Sequence, residues 1–280
     1  MTLPSKLGKF IQMKNWLENE ESGGRSAVLC FVLALKSKAV AQDWQRVSQL
    51  FEATLRSAYQ QTDADFQIIA VCHEIPTLTA TYDQRIELIQ VDFPPPPDST
   101  DRQLTMQDKW NKIAVGLVRA GALNSDFVMI MDADDLVSRH LAAYANTHKA
   151  ENGWIFTHGY RYQYGSRWIS VDDRFNCGTN AIVNGRLIRF PTSVDPKEIA
   201  KCVVLTHGHT AIAHHLAALN TPLRPLPFAG AVYVCAHGDN WTDFSDRHSW
   251  HGIRYALGRL RRLRPLTRRL RQDFAMEPGE

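Results

Sequence analysis

No apolar stretch in the chain is long enough to cross a bilayer. The longest, Ala27–Leu35, has nine of the 280 residues, against the roughly 20 that a membrane helix needs. Met1–Asn15 carries scattered charges and no apolar core of the secretory kind, so no signal peptide is expected. Cysteine is sparse and unpatterned: Cys30, Cys72, Cys177, Cys202 and Cys235 are odd in number, and no two form a C-x-x-C pair. Free thiols in a reducing compartment account for that most simply. A dominant charge is missing too, since 32 Lys+Arg against 29 Asp+Glu leave only +3. No internal repeat is present. The length and the 44 % hydrophobic content fit one large α/β domain with a tail, or at most two domains, in a cytoplasmic protein.

What is present is concentrated in one place. Phe127–Met131 is an unbroken apolar run that ends in Asp132-Ala133-Asp134-Asp135. A short run without alternation predicts a strand buried on both faces, as in a parallel sheet. Carboxylates crowded at its end repel one another and resist burial unless something positive joins them. The cation that prefers several oxygen ligands is a hard divalent metal, Mg²⁺ or Mn²⁺. Open α/β sheets bind ligands at the carboxyl ends of their strands. Asp135 by itself also suits a helix N-cap, with Leu136 onward as the helix.

The rest of the chain predicts the setting. Residues 1–25 read as a polar lead-in, with a short helix over Lys9–Leu17. Ala27–Leu35, Phe66–Val71 and Ile86–Val91 read as strands, the third nearer an edge because it alternates more. Trp44, Val47, Leu50, Phe51, Leu55 and Ala58 fall on one face of a helix over Asp43–Tyr59, and Gln107–Arg119 has the same helical spacing. Pro94–Pro97 and the polar stretch to Leu104 read as a connector. The second half is less regular. Short strands are expected at Trp154–Phe156, Tyr160–Tyr164 and Ala229–Cys235, a loop-rich stretch at Asp172–Asn184 and a helix at Thr210–Leu219. Near the C-terminus eight arginines from Arg254 to Arg271 interleave with Leu257, Leu260, Leu263, Leu266 and Leu270, broken by Pro265. That basic amphipathic pattern suits a tail packed on the domain by its leucines, or one lying on an anionic membrane surface through residues 251–271. Nucleic acid is not expected as a partner.

These pieces resemble the family-2-type glycosyltransferases. The match runs through strand one, a helix ending in Ser57 and Gln61-Thr62, the strand FQIIAV, the helix KWNKIAVG over Lys109–Gly116, and D-A-D-D at Asp132–Asp135. It covers roughly residues 27–145 and continues more weakly to about 245. The resemblance implies a GT-A fold: a Rossmann-like, mostly parallel central sheet flanked by helices, a less regular acceptor-side half and a helical C-terminal tail. It divides the chain into a lead-in at 1–25, a transferase domain at 26–245 (nucleotide-binding half 26–140, acceptor half 141–245) and a tail at 246–280. It implies transfer of a sugar from a nucleotide-diphosphate donor to a hydroxyl of a glycan or lipid-linked glycan, with a divalent metal and inversion at the sugar carbon. By the same resemblance Ala34, Leu35 and Lys36 lie beside the base. Asp132 and Ala133 sit in the donor motif, Asp134 ligates the metal, and Lys109 meets phosphate or ribose. His237, after a late strand, is the expected further metal ligand, and Gly178-Thr179-Asn180 lie near the acceptor. Trp154, Tyr160, Tyr162, Tyr164 and Trp168 supply aromatic faces.

The chain departs from the family at two places. The family's Asp-Asp after strand two is replaced by Cys72-His73-Glu74, so His73 or Glu74 takes the contact to the nucleotide. The family's Glu-Asp pair in the acceptor half is replaced by Thr206-His207-Gly208-His209-Thr210. A neutral imidazole can accept a proton from a sugar hydroxyl, which makes His209 the candidate base with His207 behind it. Asp172, Asp173 and Asp195 are other carboxylates able to serve. Two other classes stay open. One is a catalytically degenerate transferase fold acting as a binding or scaffold protein. The other is a zinc hydrolase using the His207/His209 region, whose H-x-H start lacks the Asp and His that should follow at 211 and 212.

Overall fold

The structure is a computed structural model that describes residues 27–98, 100–235 and 262–277. The expected lead-in at 1–25, His237 and the arginine segment from 251 to 261 lie outside the described residues. In chain order the first half contains β1 (Leu29–Ala34), α1 (Trp44–Tyr59), β2 (Phe66–Cys72), β3 (Ile86–Gln90), α2 (Arg102–Ala122) and β4 (Phe127–Asp132). It continues through β5 (Leu136–Val137), α3 (Leu141–Thr147), β6 (Gly153–Ile155), β7 (Gly159–Gln163), β8 (Trp168–Asp172) and β9 (Ala181–Asn184). Last come α4 (Pro196–Ile199), α5 (Val203–Ala218), β10 (Arg224–Pro225), β11 (Ala231–Cys235), β12 (Leu263–Pro265) and α6 (Arg268–Asp273).

The large sheet has seven strands in the order β10-β6-β9-β4-β1-β2-β3. β4, β1, β2 and β3 are all parallel, and β9 joins β4 antiparallel. This is the mostly parallel α/β sheet that the apolar runs predict. β1 is buried from Leu29 to Leu33, and β3 stands at the sheet edge, as its alternation implies. One face is covered by α1, whose Val47, Phe51 and Leu55 pack with Phe31, Phe66 and Phe127. The other is covered by α2 and α5 through Ile113, Leu117, Val204 and Ile212. Among the described residues no helix is long and apolar enough to cross a membrane. All five cysteines are free, four of them buried.

A second sheet, β12-β8-β7-β11-β5, carries the part of the chain where sequence periodicity is weakest. Several expectations are corrected here. Asp135 does not cap a helix: Leu136–Val137 pairs with β11, and the next helix starts only at Leu141. β9 lies within the stretch the sequence reads as loop, and β8 ends at its start, because strands of four or five residues show too few alternations to stand out. α2 begins at Arg102, capped by the Asp101 side chain, so the expected connector is already helical there. The C-terminal pattern is not one helix. Pro265, which cannot donate to a helical ladder, ends a strand at β12, and α6 follows with Thr267 as its cap. Phe274 and Met276 are then buried against β7 and its neighbours, with Phe274 edge-on to Tyr160 at 5.6 Å.

The Ser57 and Gln61-Thr62 phrase has a physical role. Ser57 Oγ accepts from the Val137 amide at 3.1 Å. Gln61 donates to Ser138 O at 3.0 Å and accepts from the Ala142 amide at 2.9 Å. The Thr62 amide donates to Arg139 O at 2.8 Å. The end of α1 therefore fixes the chain just after the acidic turn.

Candidate functional site

β1 and β4 are parallel neighbours, so their carboxyl ends stand side by side at the edge where open α/β sheets bind ligands. Ala34 is the register partner of Asp132, so the loop after β1 and the acidic turn meet at one edge. The turn is tightly clamped. The Asp132 amide donates to Thr179 Oγ1 at 2.9 Å, and that hydroxyl donates to Asp135 Oδ2 at 2.6 Å. The Val234 amide donates to Asp135 Oδ1 at 3.2 Å, and Cys177 Sγ reaches Oδ2 at 3.6 Å. Asp135 and Thr179 are both fully buried. Burial, then the charges of Asp134 and Asp132, hold the Asp135 carboxyl well above the usual carboxylate range. Asp135 is thus the internal brace of the turn, and Thr179 is the buried hydroxyl that joins its two ends.

Asp132 and Asp134 are half-buried. Asp134 lines a small hollow with Gln49, Tyr162, Tyr164 and Met276. Asp132 Oδ1 receives the Lys109 ammonium in an ion pair. Burial works against that ammonium, but Asp132, with Asp134 and Asp135 behind it, outweighs the cost and raises the lysine above its ordinary value. The backbone of Gly178 lies so close that a Cβ there would fall 2.3 Å from Asp132 Oδ2. Ala133 packs on the core cluster beneath the sheet.

His209 lines an opening together with Lys109 and Gly178. Helix α5 is broken at Gly208, whose φ of 59° and ψ of −176° are open to glycine and strained for other residues. The break turns His209 out of the run that begins at Val203. Burial pushes the imidazole below its usual value; Asp132 opposes that and Lys109 adds to it. His207 is placed otherwise: it stacks on His215 at 3.6 Å between ring centres, with Nδ1 at 3.2 Å from Val203 O. Among the described residues no three His, Cys, Asp or Glu side chains are grouped to hold a metal, so the zinc-hydrolase arrangement finds no ligand set there.

The base-side residues are arranged around a buried charge network that the sequence reading did not anticipate. Leu35 is buried and Lys36 half-exposed. Lys112, fully buried, donates to Leu35 O at 2.8 Å and to Asp108 Oδ2 at 2.7 Å. The other oxygen of Asp108 lies 2.8 Å from His73 Nε2, and the His73 ring stands edge-on to Phe93 at 5.2 Å. The His73 side chain is therefore turned into the protein. Glu74 is half-buried and accepts from Ser37 Oγ at 3.2 Å and from the Lys38 amide at 2.9 Å, tying the loops after β1 and β2 together. The i, i+4 spacing of Asp108 and Lys112 on α2 was the one available sequence signal for this network.

The other candidates spread out. Asp172 is buried and paired with Arg161 at 2.7 Å, while Asp195 caps α4 through the Lys197 amide. Trp154 and Tyr162 are buried core residues, whereas Trp168 is 52 % exposed.

No protein-family model and no curated protein matches the sequence. Solved structures do match. One is Staphylococcus aureus TarS, at 12 % identity and a TM-score of 0.42, covering 75 % of this chain and 37 % of TarS. The chain thus spans little more than a third of that protein's length. A second is 4-diphosphocytidyl-2C-methyl-D-erythritol synthase from Anaerococcus prevotii, at 14 % identity and 0.38, covering 86 % of this chain and 98 % of the other. A third is Rv0371c from Mycobacterium tuberculosis, at 14 % and 0.36, covering 83 % and 99 %.

Proposed function

We propose that the protein is a GT-A-type glycosyltransferase that moves a sugar from a nucleotide-diphosphate donor to a hydroxyl acceptor. The observation that carries this reading is the half-buried Asp132 carboxylate at the end of β4, joined by the Lys109 ammonium, which lines the opening that His209 borders. The arrangement provides an acid, a cation and a base around one space. An acceptor hydroxyl gives its proton to the neutral His209 imidazole as its oxygen bonds to the anomeric carbon, and the bond from that carbon to the diphosphate breaks with its electrons. Lys109 meets the negative charge that grows on the leaving diphosphate. The loop at Ala34–Ser37, held to Glu74, forms the side on which the nucleoside rests.

Mn²⁺ or Mg²⁺ fits the donor set in kind, since Asp134 and Asp132 offer carboxylate oxygens. Oxygens of the donor's diphosphate would supply the remaining ligands, with His237 a further candidate. The ion, when bound, neutralises diphosphate charge. Asp132 reaches it only by sharing its charge with Lys109.

The test is incubation with UDP-, GDP- and dTDP-sugars and Mn²⁺, with release of free nucleotide diphosphate as readout. Release that disappears in Asp134→Ala, with the circular dichroism spectrum unchanged, supports transfer. Nucleotide binding with no turnover on any donor over a broad acceptor panel refutes it in favour of a binding protein.

A further inference from the structure

A chamber of about 90 Å³ opens beside the acidic turn, between α2, β4, β9 and α5. Two of its lining residues touch Asp132. Lys109, which pairs with Asp132, lines it; so does Gly178, which abuts the Asp132 carboxylate; and so does His209. Its remaining walls are hydrocarbon: Trp110, Val128, Ile130, Val183, Val204 and Ile212. Such walls offer a sugar hydroxyl nothing to bond, and a hydroxyl buried without a partner costs more than it returns. Asn180, 3 % exposed, also lines the chamber, with its Oδ1 sealed off beneath those walls and without a hydrogen-bond partner.

We propose that this chamber receives the acceptor, and that the acceptor is an alcohol with an apolar carbon skeleton rather than a free sugar. The inference rests on the transfer reading above and narrows its substrate class. The hydrocarbon end lies against Trp110, Ile130 and Ile212, and the hydroxyl donates to His209. A cavity of about 150 Å³ holds the six carbons of benzene, so this one takes roughly four carbons, with any longer part emerging at the mouth.

The experiment is a titration of the full chain, saturated with UDP, with n-alkanols from ethanol to hexanol, following amide chemical shifts. Affinity should rise about fourfold with each added methylene and level off near four carbons. Glycerol and glucose should not compete. Val204→Phe, which fills the chamber, should abolish the chain-length dependence while UDP affinity stays at the wild-type level. The proposal is overturned if wild-type affinity is flat with chain length, if glycerol binds as well as propanol, or if Val204→Phe keeps the series intact. The wild-type series needs no variant, so misfolding of Val204→Phe leaves the test in force. UDP affinity is read separately: its absence defeats the transfer reading, and its presence without alkanol binding defeats only the chamber.

Discussion

Lys112 has no exposed surface and two partners, so its replacement has a calculable cost. Lys112→Met keeps the length and the apolar stem but removes the bonds to Asp108 at 2.7 Å and Leu35 O at 2.8 Å. The Asp108 carboxylate, 11 % exposed, is then left with His73 alone. Removing one partner of a buried ion pair costs about 3–5 kcal/mol, chiefly because the other charge stays behind. The relieved burial of the ammonium, which burial already drives below its ordinary pKa against the pull of Asp108, places the expected loss near the lower end. About 3 kcal/mol corresponds to a fall of roughly 6–12 °C in Tm for a domain of this size. Adding Asp108→Asn to that background should restore about half the loss, since the stranded charge disappears. Urea titration and calorimetry on the two variants measure both effects. A Lys112→Met protein within 0.5 kcal/mol of wild type, or a double variant no more stable than the single one, would refute the reasoning. Because Lys112 also holds Leu35 O, the single variant should bind nucleotide more weakly at a temperature where it is folded.

The remaining predictions address the acidic turn and its surroundings. His209→Gln should lower turnover by about 10²–10⁴, and the acid limb of the wild-type rate profile, centred below pH 6.5 because burial depresses the imidazole, should vanish with it. A variant that keeps that limb removes His209 from the base role. Asp135→Asn should change the pH dependence of stability. The folded protein holds the Asp135 proton after the unfolded chain has lost it, so wild-type stability falls as pH rises above the ordinary carboxylate range. The variant should lack that component in denaturant titrations run upward from the ordinary carboxylate range. Gly208→Ala should cost about 1 kcal/mol through its positive φ and shift His209, so turnover falls more than Tm implies; a wild-type rate sinks that idea. Lys109→Met should raise the KM for the donor with little loss of Tm, because its ion pair lies at a partly exposed mouth.

The sequence carried the nucleotide half because there each signal is local and repeated. Five apolar residues before three carboxylates, a helical face from Trp44 to Ala58 and the edge-like alternation of Ile86–Gln90 each reduce to one period. The second half offered no such period. β8, β9 and β12 are too short to register, and their partners lie far along the chain. The Thr179–Asp135 brace joins residues 44 positions apart, and Lys112 reaches a carbonyl 77 positions away. His73 illustrates the limit on single residues: its place after β2 suggested a nucleotide contact, while its ring is turned to Asp108.

What the sequence determined by itself is the parallel sheet and the acidic turn at its edge, since burial on both faces and charge repulsion are written in neighbouring residues. Tertiary structure alone decided which of the three acids is buried as a brace, which one meets a lysine, and that a hydrocarbon chamber opens beside them. Those outcomes depend on which groups from distant segments arrive to share a proton, a charge or a surface, and no local pattern encodes that arrival.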